Sequence, residues 1–341
     1  MKLVDLISEK LRGRADSSPS LSDDELLFRL EQGAKTYRCG VYLHNLESIH
    51  RQQIYQELET ERLKSKYHKI WSMHEEWKMS WNHIFLVGFF DSLSDMENRE
   101  NYLELAVRLN YSIISRERKS LRNLEALLIG MSGLLELLPR DRFTKSLADD
   151  ARFIIHKYQL NPLPATQWNR RKWLPFKHPI VRLSQVAHLL YENEMPFNSL
   201  IECRNRNDIH NLFNVEMSEW WNPYFGESVR HIGVEKSDLL GINFVVPMLY
   251  AFGHYSSDDE MTNRANDLNE DLPAESNFYI TKWRRKGLDP KSAYETQALI
   301  QLAKIYCSNK HCEECHLYRH MKSKSSILSK IPAFLEELMK K

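Results

Sequence analysis

The sequence contains no long hydrophobic run, no excess of charge of either sign and few glycines. Because no stretch of about 18 apolar residues occurs, we expect no membrane-spanning helix. The 341 residues include 47 Lys and Arg against 46 Asp and Glu, which gives a net charge of +1. Such a balance excludes a global electrostatic field directed toward nucleic acid or anionic membranes. A polyanionic partner must therefore be met by a local basic patch.

Cysteines are also few, and their number is odd. Two of the five, Cys39 and Cys203, stand alone in the sequence. This distribution argues against a disulfide framework and favours a reducing compartment. The first ten residues carry charges where a signal peptide would have its apolar stretch. We therefore expect a cytoplasmic protein without a membrane partner.

What the chain has in abundance is helical periodicity. Only 11 glycines occur, and Val, Ile and Thr rarely alternate with polar residues. Apolar residues instead recur at spacings of three and four, as at Leu124, Leu127 and Leu128. The predicted fold class is all-α, a multi-helix array. Gly130 and Gly133 interrupt one apolar run, and we expect a neighbouring helix to approach closely there.

Prolines divide the predicted array into two helical halves. The segment 161–179 contains four prolines and is expected to be an extended crossing loop. The predicted organisation is a flexible segment 1–20, an N-terminal helical half 21–160, the connecting loop 161–179, and a C-terminal helical half 180–341. Helix starts and periodicity predict helices from Ser22 with a capping box at Glu25, at Ile180–Glu192, Leu239–Gly253, Glu260–Asn269, Ser276–Lys286 and Lys291–Tyr306, and a basic tail helix at Ser326–Lys340. A long, exposed helix is predicted over 47–77, where the sequence is highly charged and has a thin apolar stripe, and a single break in it is left open. This helix is a candidate surface for homo-oligomerisation.

The most informative local feature is a cysteine and histidine cluster near the C-terminal end. Cys307, Cys312 and Cys315 have the spacing C-x4-C-x2-C, and His316 follows directly. Thiolates and imidazoles are the usual ligands of structural zinc. A fourth ligand would come from His316, His311, His320 or Cys203. The alternative interpretation is that these cysteines only pack in a loop at the end of a helix.

Zinc is the preferred occupant of this cluster. The spacing is similar to the iron–sulfur loop of helix-hairpin-helix DNA glycosylases, but that loop has a longer first gap and a fourth cysteine. Both differences argue against a cubane cluster, so an iron–sulfur centre is the less favoured prediction. In either case we expect the role to be structural.

A second candidate site is electrostatic. No acidic residue occurs between Ala151 and Tyr191, whereas seven Lys and Arg do. Positive charges interleaved with aromatic rings are the composition that contacts phosphates and stacks on bases. The predicted nucleic-acid-binding residues are Arg170, Arg171, Lys172, Trp173 and Lys177. The alternative is that the tryptophans anchor the loop and the cations pair with acids elsewhere, notably in 258–271.

The chain resembles an uncharacterised bacterial family of unknown function. The resemblance rests on ordered landmarks between about residues 25 and 320, and it is densest toward the C-terminal end, where the matching positions are Glu275, Ser276, Asn277, Trp283, Gly287, Gln297, Tyr306, Cys307, Cys312 and Cys315. Longer members carry a preceding domain that is similar to restriction nucleases. The resemblance implies that this chain corresponds to their helical accessory region, so no catalytic residue can be carried over.

These observations favour a non-catalytic binding or scaffold module, associated with nucleic acid or with a nucleic-acid enzyme and holding a structural zinc site. The alternative is an enzyme of unknown reaction with a pocket between the helical halves. Its candidate pocket residues are Arg182, Gln185, Glu275 and Asn277, although Glu275 and Asn277 are preferred as helix caps. A third hypothesis is a degenerate relative that retains only a role in assembly.

Overall fold

A computed structural model describes residues 39–171 and 173–323 of the chain. Within these ranges the protein is all-α, as predicted, and no strand or sheet is present. Two isolated bridges, Glu216 with His231 and Pro273 with Ser292, are the β-type pairings of the described residues. The predicted helix from Ser22 and the predicted tail helix Ser326–Lys340 lie outside the described residues. No helix of the described chain is long and apolar enough to cross a membrane.

Most α-helices of the described chain follow one another with short connections, and the longest connection is 158–178. Their bounds are α1 Gly40–Asn45, α2 Ser48–Glu75, α3 Trp81–Leu93, α4 Arg99–Arg108, α5 Tyr111–Glu117, α6 Leu121–Met131, α7 Arg142–Lys157, α8 Pro179–Glu192, α9 Pro196–Ile201, α10 Arg206–Leu212, α11 Asn222–Phe225, α12 Val234–Leu240, α13 Val246–Ser256, α14 Asp259–Asp271, α15 Phe278–Arg284 and α16 Ala293–Gln301. Short 3-10 helices occupy Leu134–Leu137, Ala165–Gln167, Pro175–Lys177, Glu219–Trp221 and Glu227–Val229. Two π-helical turns, Gly241–Val245 and Leu302–Cys307, continue α12 and α16.

The chain forms two compact units. Of the described residues, unit 1 contains 67–268 and unit 2 contains 39–66 together with 269–323. The proline-rich segment 161–179 lies inside unit 1. Unit 1 is therefore continuous over its described part, whereas unit 2 combines an early and a late stretch of sequence.

The core of unit 1 is built on helices α3 and α6. Helix α3 begins at the N-cap Ser80, whose side chain accepts a hydrogen bond from the amide of His83, and it buries Phe85, Phe89 and Phe90 completely. Helix α6 packs closely on α7 at Gly130. A Cβ atom at this position would lie only 2.7 Å from the Cβ atom of Ala151, so a larger residue would not fit without a shift. The small residue predicted to permit close approach does so here.

The core of unit 2 gathers residues from both of its stretches. Leu43, Leu58 and Leu299 are fully buried in one hydrophobic cluster with Trp283, whose indole nitrogen donates to the Leu299 carbonyl oxygen over 2.9 Å. Burying such large apolar surfaces is the main stabilising term for a unit of this size. Residue 283 and the residues near 43 thus depend on one another for burial.

Helix α2 confirms the prediction of one long helix, and it is unbroken from Ser48 to Glu75. The apolar stripe of α2 is more buried than the charged composition of the helix suggests. Ile54, Leu58 and Leu63 are each at most 2% exposed. Oligomerisation through this helix stays a prediction, and its buried positions are not available to a partner.

Candidate functional site

The basic segment, residues 168–178, presents its cations to solvent. Arg170, Arg171 and Lys177 are exposed, whereas Lys172 lies outside the described residues. Among the residues that the structure describes, no carboxylate forms an ion pair with any of these three cations. The acids of 258–271 therefore do not neutralise them, and their charge is available to a partner.

The start of the basic segment is fixed by buried polar contacts. Trp168 is only 3% exposed, and its indole nitrogen donates to the carbonyl oxygen of Ser132 over 2.9 Å. The Asn98 side chain accepts from the amide of Asn169 over 2.8 Å and donates to its carbonyl oxygen over 3.0 Å. Gly133 adds to this anchor, because its positive φ of 73° lets the chain pass beside Leu163. An anchored backbone reduces the entropy lost when a partner binds.

The end of the segment is fixed by aromatic packing. The ring centroid of Trp173 lies 4.5 Å from that of His178, which caps α8 by accepting from the amide of Ile180. Burial lowers the pKa of His178 to about 4, so the imidazole is neutral at physiological pH. Trp173 is thus half-buried and serves as an anchor. Phe176, by contrast, is 48% exposed, and Lys177 holds its ammonium 5.6 Å from the Phe176 ring centroid.

Two further cations reinforce the positive potential near Lys177. Arg182 is 8% exposed, and its Nη1 donates to Gln185 over 2.9 Å. Lys236 donates to the carbonyl oxygen of Ser92 over 2.6 Å. Burial, together with the charges of Arg182 and Lys177, lowers the pKa of Lys236 to about 8, and Asp95 offsets only part of this effect. Cations close enough to lower the pKa of Lys236 create a site where an anion is favoured.

The four candidate pocket residues fall into different units. Arg182 and Gln185 belong to unit 1, and Glu275 and Asn277 belong to unit 2. Asn277 caps α15 by accepting from the amide of Ile280 over 3.0 Å, which is the role that the sequence favoured. Its side-chain nitrogen donates to Glu275 over 3.0 Å. These contacts give Asn277 and Glu275 a structural role within their own unit.

A buried carboxylate that the sequence did not single out lies in unit 1. Glu125 is 2% exposed, and it accepts hydrogen bonds from Ser184 and, over 2.9 Å, from the indole nitrogen of Trp221. Burial raises its pKa despite these donors. It borders a cavity of about 690 Å³ whose lining is Leu121, Arg122, Glu125, His188, Glu216, Ser218, Glu219, Trp220 and Arg230. The signal available in the sequence was a single acid within the apolar run of α6.

The predicted metal ligands lie together in one short stretch of unit 2. Cys307 ends the π-helical turn and is half-buried, Cys312 is exposed, and Cys315 is buried. His316 is engaged elsewhere, with Nδ1 2.8 Å from Glu57 and Nε2 2.6 Å from Glu61. Across residues 39–171 and 173–323, the side chains as they stand form no group of three or more His, Cys, Asp or Glu ready to hold a metal ion.

Comparisons with known proteins identify one family. A family model with the description "Protein of unknown function (DUF2851)" matches residues 20–278. The match ends before the cysteine cluster, although the resemblance seen in the sequence extended to about residue 320. A search of curated proteins and a search of solved structures found no match.

Proposed function

The chain belongs to the DUF2851 family of unknown function, and we propose that it is a non-catalytic nucleic-acid-binding module that contacts phosphates through the basic segment. The single observation that carries this proposal is the exposure of Arg170, Arg171 and Lys177 without a carboxylate partner among the described residues. When exposed cations neutralise phosphates of a nucleic acid, the counterions condensed on that nucleic acid are released, and this release favours binding.

The surroundings of the segment support a polyanion rather than a small anion. Arg170 and Lys177 lie seven positions apart in the sequence and both are exposed, so the charges are spread along the segment rather than gathered at one point. The exposed ring of Phe176 lies within this row and offers a face on which a base can stack. Arg182 and Lys236 add positive potential behind it.

A charge-reversal pair tests the proposal. The chain offers a matched control, because the run Arg-Arg-Lys of residues 170–172, which precedes Trp173, occurs again at residues 284–286, where it follows Trp283. Arg284 and Arg285 are also exposed, but Trp283 is fully buried in unit 2. Arg170→Glu with Arg171→Glu and Arg284→Glu with Arg285→Glu therefore change the net charge equally.

Binding of labelled oligonucleotides is measured by fluorescence anisotropy from about 50 to 200 mM salt. We expect the Arg170, Arg171 variant to lose at least roughly tenfold in affinity and about two units of the salt slope, whereas the control binds like the parent protein. The absence of binding by the parent protein at low salt, or an equal loss in both variants, would contradict the proposal.

The form of nucleic acid is distinguished by Phe176. A stacking residue contributes about 1–3 kcal/mol per base on a single strand, and it has no accessible base face in a duplex. We expect Phe176→Ala to weaken binding of single-stranded oligonucleotides and to leave duplex binding almost unchanged.

An enzyme is the second hypothesis, and the cavity beside Glu125 is the observation that favours it. A buried acid with a raised pKa in a cleft is a common feature of catalytic sites. The cavity's cations are already engaged, since Arg122 pairs with Asp150 over 2.7 Å and Arg230 with Glu216 over 2.9 Å. A thermal-shift screen of small metabolites against the parent protein and Glu125→Gln tests this hypothesis, because a true ligand would stabilise only the parent.

A further inference from the structure

Cys39, which stands alone in the sequence, lies with the cysteine cluster in the structure. Cys315 is a member of the buried hydrophobic cluster of unit 2, and both Cys39 and Cys307 pack against that cluster. Cys39 occupies the N-cap position of α1, where its carbonyl oxygen accepts from the amide of Leu43 over 3.0 Å. The cluster thus has a cysteine from the opposite end of the described chain.

The thiols are close enough to affect one another electrostatically. Burial raises the pKa of Cys39, and the thiolates of Cys315 and Cys312 raise it further. Burial also raises the pKa of Cys307 to about 12, with added contributions from Cys315, Cys39 and Cys312. The fifth cysteine differs, because the charged neighbours of Cys203 are Asp208, Arg264 and Glu202 rather than other thiols.

The backbone around the three C-terminal cysteines departs from regular helix. The π-helical turn Leu302–Cys307 ends at the first of them, and π turns are frequent at functional sites. Lys310 has a positive φ of 58°, an uncommon conformation for a residue other than glycine. The amide of Cys315 donates to the Cys312 carbonyl oxygen over 3.1 Å and closes a tight turn. This geometry turns a short loop back toward the cluster that Cys39 contacts.

The histidine predicted as fourth ligand is less suitable than Cys39. Both ring nitrogens of His316 lie within hydrogen-bond distance of carboxylates, at 2.8 Å from Glu57 and 2.6 Å from Glu61. Binding a metal through either nitrogen would break one of these contacts. The charged neighbours that raise the pKa of the Cys39 thiol are themselves thiols, those of Cys315 and Cys312.

We propose that Cys39, Cys307, Cys312 and Cys315 together form a four-thiolate metal centre in unit 2. Four cysteines satisfy tetrahedral zinc, with Zn–S distances of about 2.3 Å. The spacing C-x4-C-x2-C also occurs in plant-type [2Fe–2S] ferredoxins, although their distant fourth cysteine follows the run and Cys39 precedes it. The shared chemistry is a thiophilic metal held by four sulfurs, and ligation displaces a proton from each thiol.

Closing this centre requires the thiols to move from their present positions, in which they form no group ready to hold a metal ion among the described residues. Each thiol chooses among three staggered χ1 rotamers, and Cys312, on an exposed turn, has room to do so. Metal binding in unit 2 does not depend on the nucleic-acid surface proposed for unit 1. The two proposals can therefore fail separately.

Metal analysis of the anaerobically purified full-length protein tests the centre. The parent protein, Cys39→Ser and the matched control Cys203→Ser are analysed for zinc, iron and acid-labile sulfide, with an absorption spectrum of each. We expect about one zinc ion, or two irons with two sulfides and visible colour, per chain in the parent and in Cys203→Ser. Cys39→Ser should retain less than roughly a tenth of that metal.

Labelling provides a second measurement should Cys39→Ser fail to fold. The native parent protein is treated with N-ethylmaleimide before and after chelation, and each cysteine is followed by mass spectrometry. We expect Cys39, Cys307, Cys312 and Cys315 to become reactive together when the metal is removed. The proposal would be overturned by any of three results. These are a parent protein without metal, a full metal content in Cys39→Ser, and labelling of Cys39 that is the same before and after chelation.

Discussion

The indole nitrogen of Trp168 donates a hydrogen bond to the main-chain carbonyl oxygen of Ser132 over 2.9 Å, and both residues are buried. This bond ties the first residue of the basic segment to the end of helix α6. The cations that follow are exposed on a backbone whose starting point is fixed. Their arrangement therefore depends on a contact that carries no charge itself.

Trp168→Phe separates position from charge. An aromatic ring remains, but it is smaller than indole, and the Ser132 carbonyl oxygen loses its donor. The unpaired acceptor costs about 1–3 kcal/mol in the free energy of unfolding, and the space left by the smaller ring adds to this cost. We expect oligonucleotide affinity to fall severalfold while the salt slope stays that of the parent, since no cation is removed. Urea denaturation and anisotropy measure the two effects. A reduced salt slope would show that Trp168 does more than hold the segment in place.

Gly133 is expected to be among the least tolerant positions of unit 1. Its φ is 73°, and a Cβ atom there would overlap the Leu163 carbonyl oxygen and lie 3.0 Å from the amide nitrogen of Ala165. Gly226 has a similar φ of 85° but no atom within 4 Å of the corresponding Cβ position.

Substituting the two glycines separates backbone strain from crowding. We expect Gly226→Ala to cost about 1–3 kcal/mol from strain alone. Gly133→Ala should cost a further 1–3 kcal/mol or so because of overpacking. If urea denaturation gives the same loss of unfolding free energy for both variants, the chain near Leu163 moves away from the new methyl group at no measurable cost.

Nucleic-acid affinity should fall as the pH rises from 7 to 9. Lys236 has a pKa lowered to about 8 by burial and by its cationic neighbours Arg182 and Lys177, so the free protein loses this charge over that interval. Lys236→Arg keeps the charge at every pH, because the guanidinium does not titrate in this range. We expect the affinity of Lys236→Arg to be independent of pH over this interval. An equal fall in affinity in the parent protein and in Lys236→Arg would show that Lys236 is not involved.

Glu125 should make the stability of the parent protein decrease with rising pH. Its pKa is raised in the folded state, so its contribution is fully present below the unfolded value of about 4.3 and is lost as the pH passes through the folded value. In Glu125→Gln the amide oxygen can still accept from Ser184 and Trp221 without a buried charge. We expect Glu125→Gln to gain stability over the parent between pH 5 and 8. Glu136→Gln makes the same chemical change at an exposed position and serves as the control. A stability difference between Glu125→Gln and the parent protein that does not change with pH would contradict the prediction.

His316 should stabilise unit 2 without holding the metal. His316→Gln cannot contact Glu57 and Glu61 at once, and for these partly exposed carboxylates we expect a loss of about 1 kcal/mol. The metal content should remain that of the parent protein, as it should in His311→Asn, which changes an exposed histidine. Loss of metal in His316→Gln alone would make His316 a ligand and remove the need for Cys39.

Much of the helical architecture could be predicted from the sequence, because local signals set it. The predicted helix Ile180–Glu192 begins one residue early, at Pro179, where proline is favoured at the first helical position. The predicted helix Lys291–Tyr306 is present, but its last turn is a π-helix. Such a turn depends on packing against other elements, which periodicity does not encode.

The sites were harder to predict because they depend on long-range contacts. The exposure of Arg170 and Arg171 agrees with the composition of the segment, but the burial of Trp168 is decided by Ser132 and Tyr102. The proximity of Cys39 to Cys315 leaves no trace in spacing, since nearly the whole described chain separates them. Glu125 needed Trp221, which lies 96 positions later in the sequence, to become a buried acceptor.

The described part of unit 2 combines residues 39–66 with residues 269–323, two stretches that are synthesised far apart in time. The first stretch leaves the ribosome while the residues that will cover Leu43 and Leu58 have not yet been made. At about 5–20 residues per second, translating residues 67–268 takes roughly 10–40 s. During that interval unit 1 is still being made, and the apolar side chains of 39–66 that will pack on the later stretch have no permanent partner. This early stretch is where we expect a nascent-chain chaperone to bind.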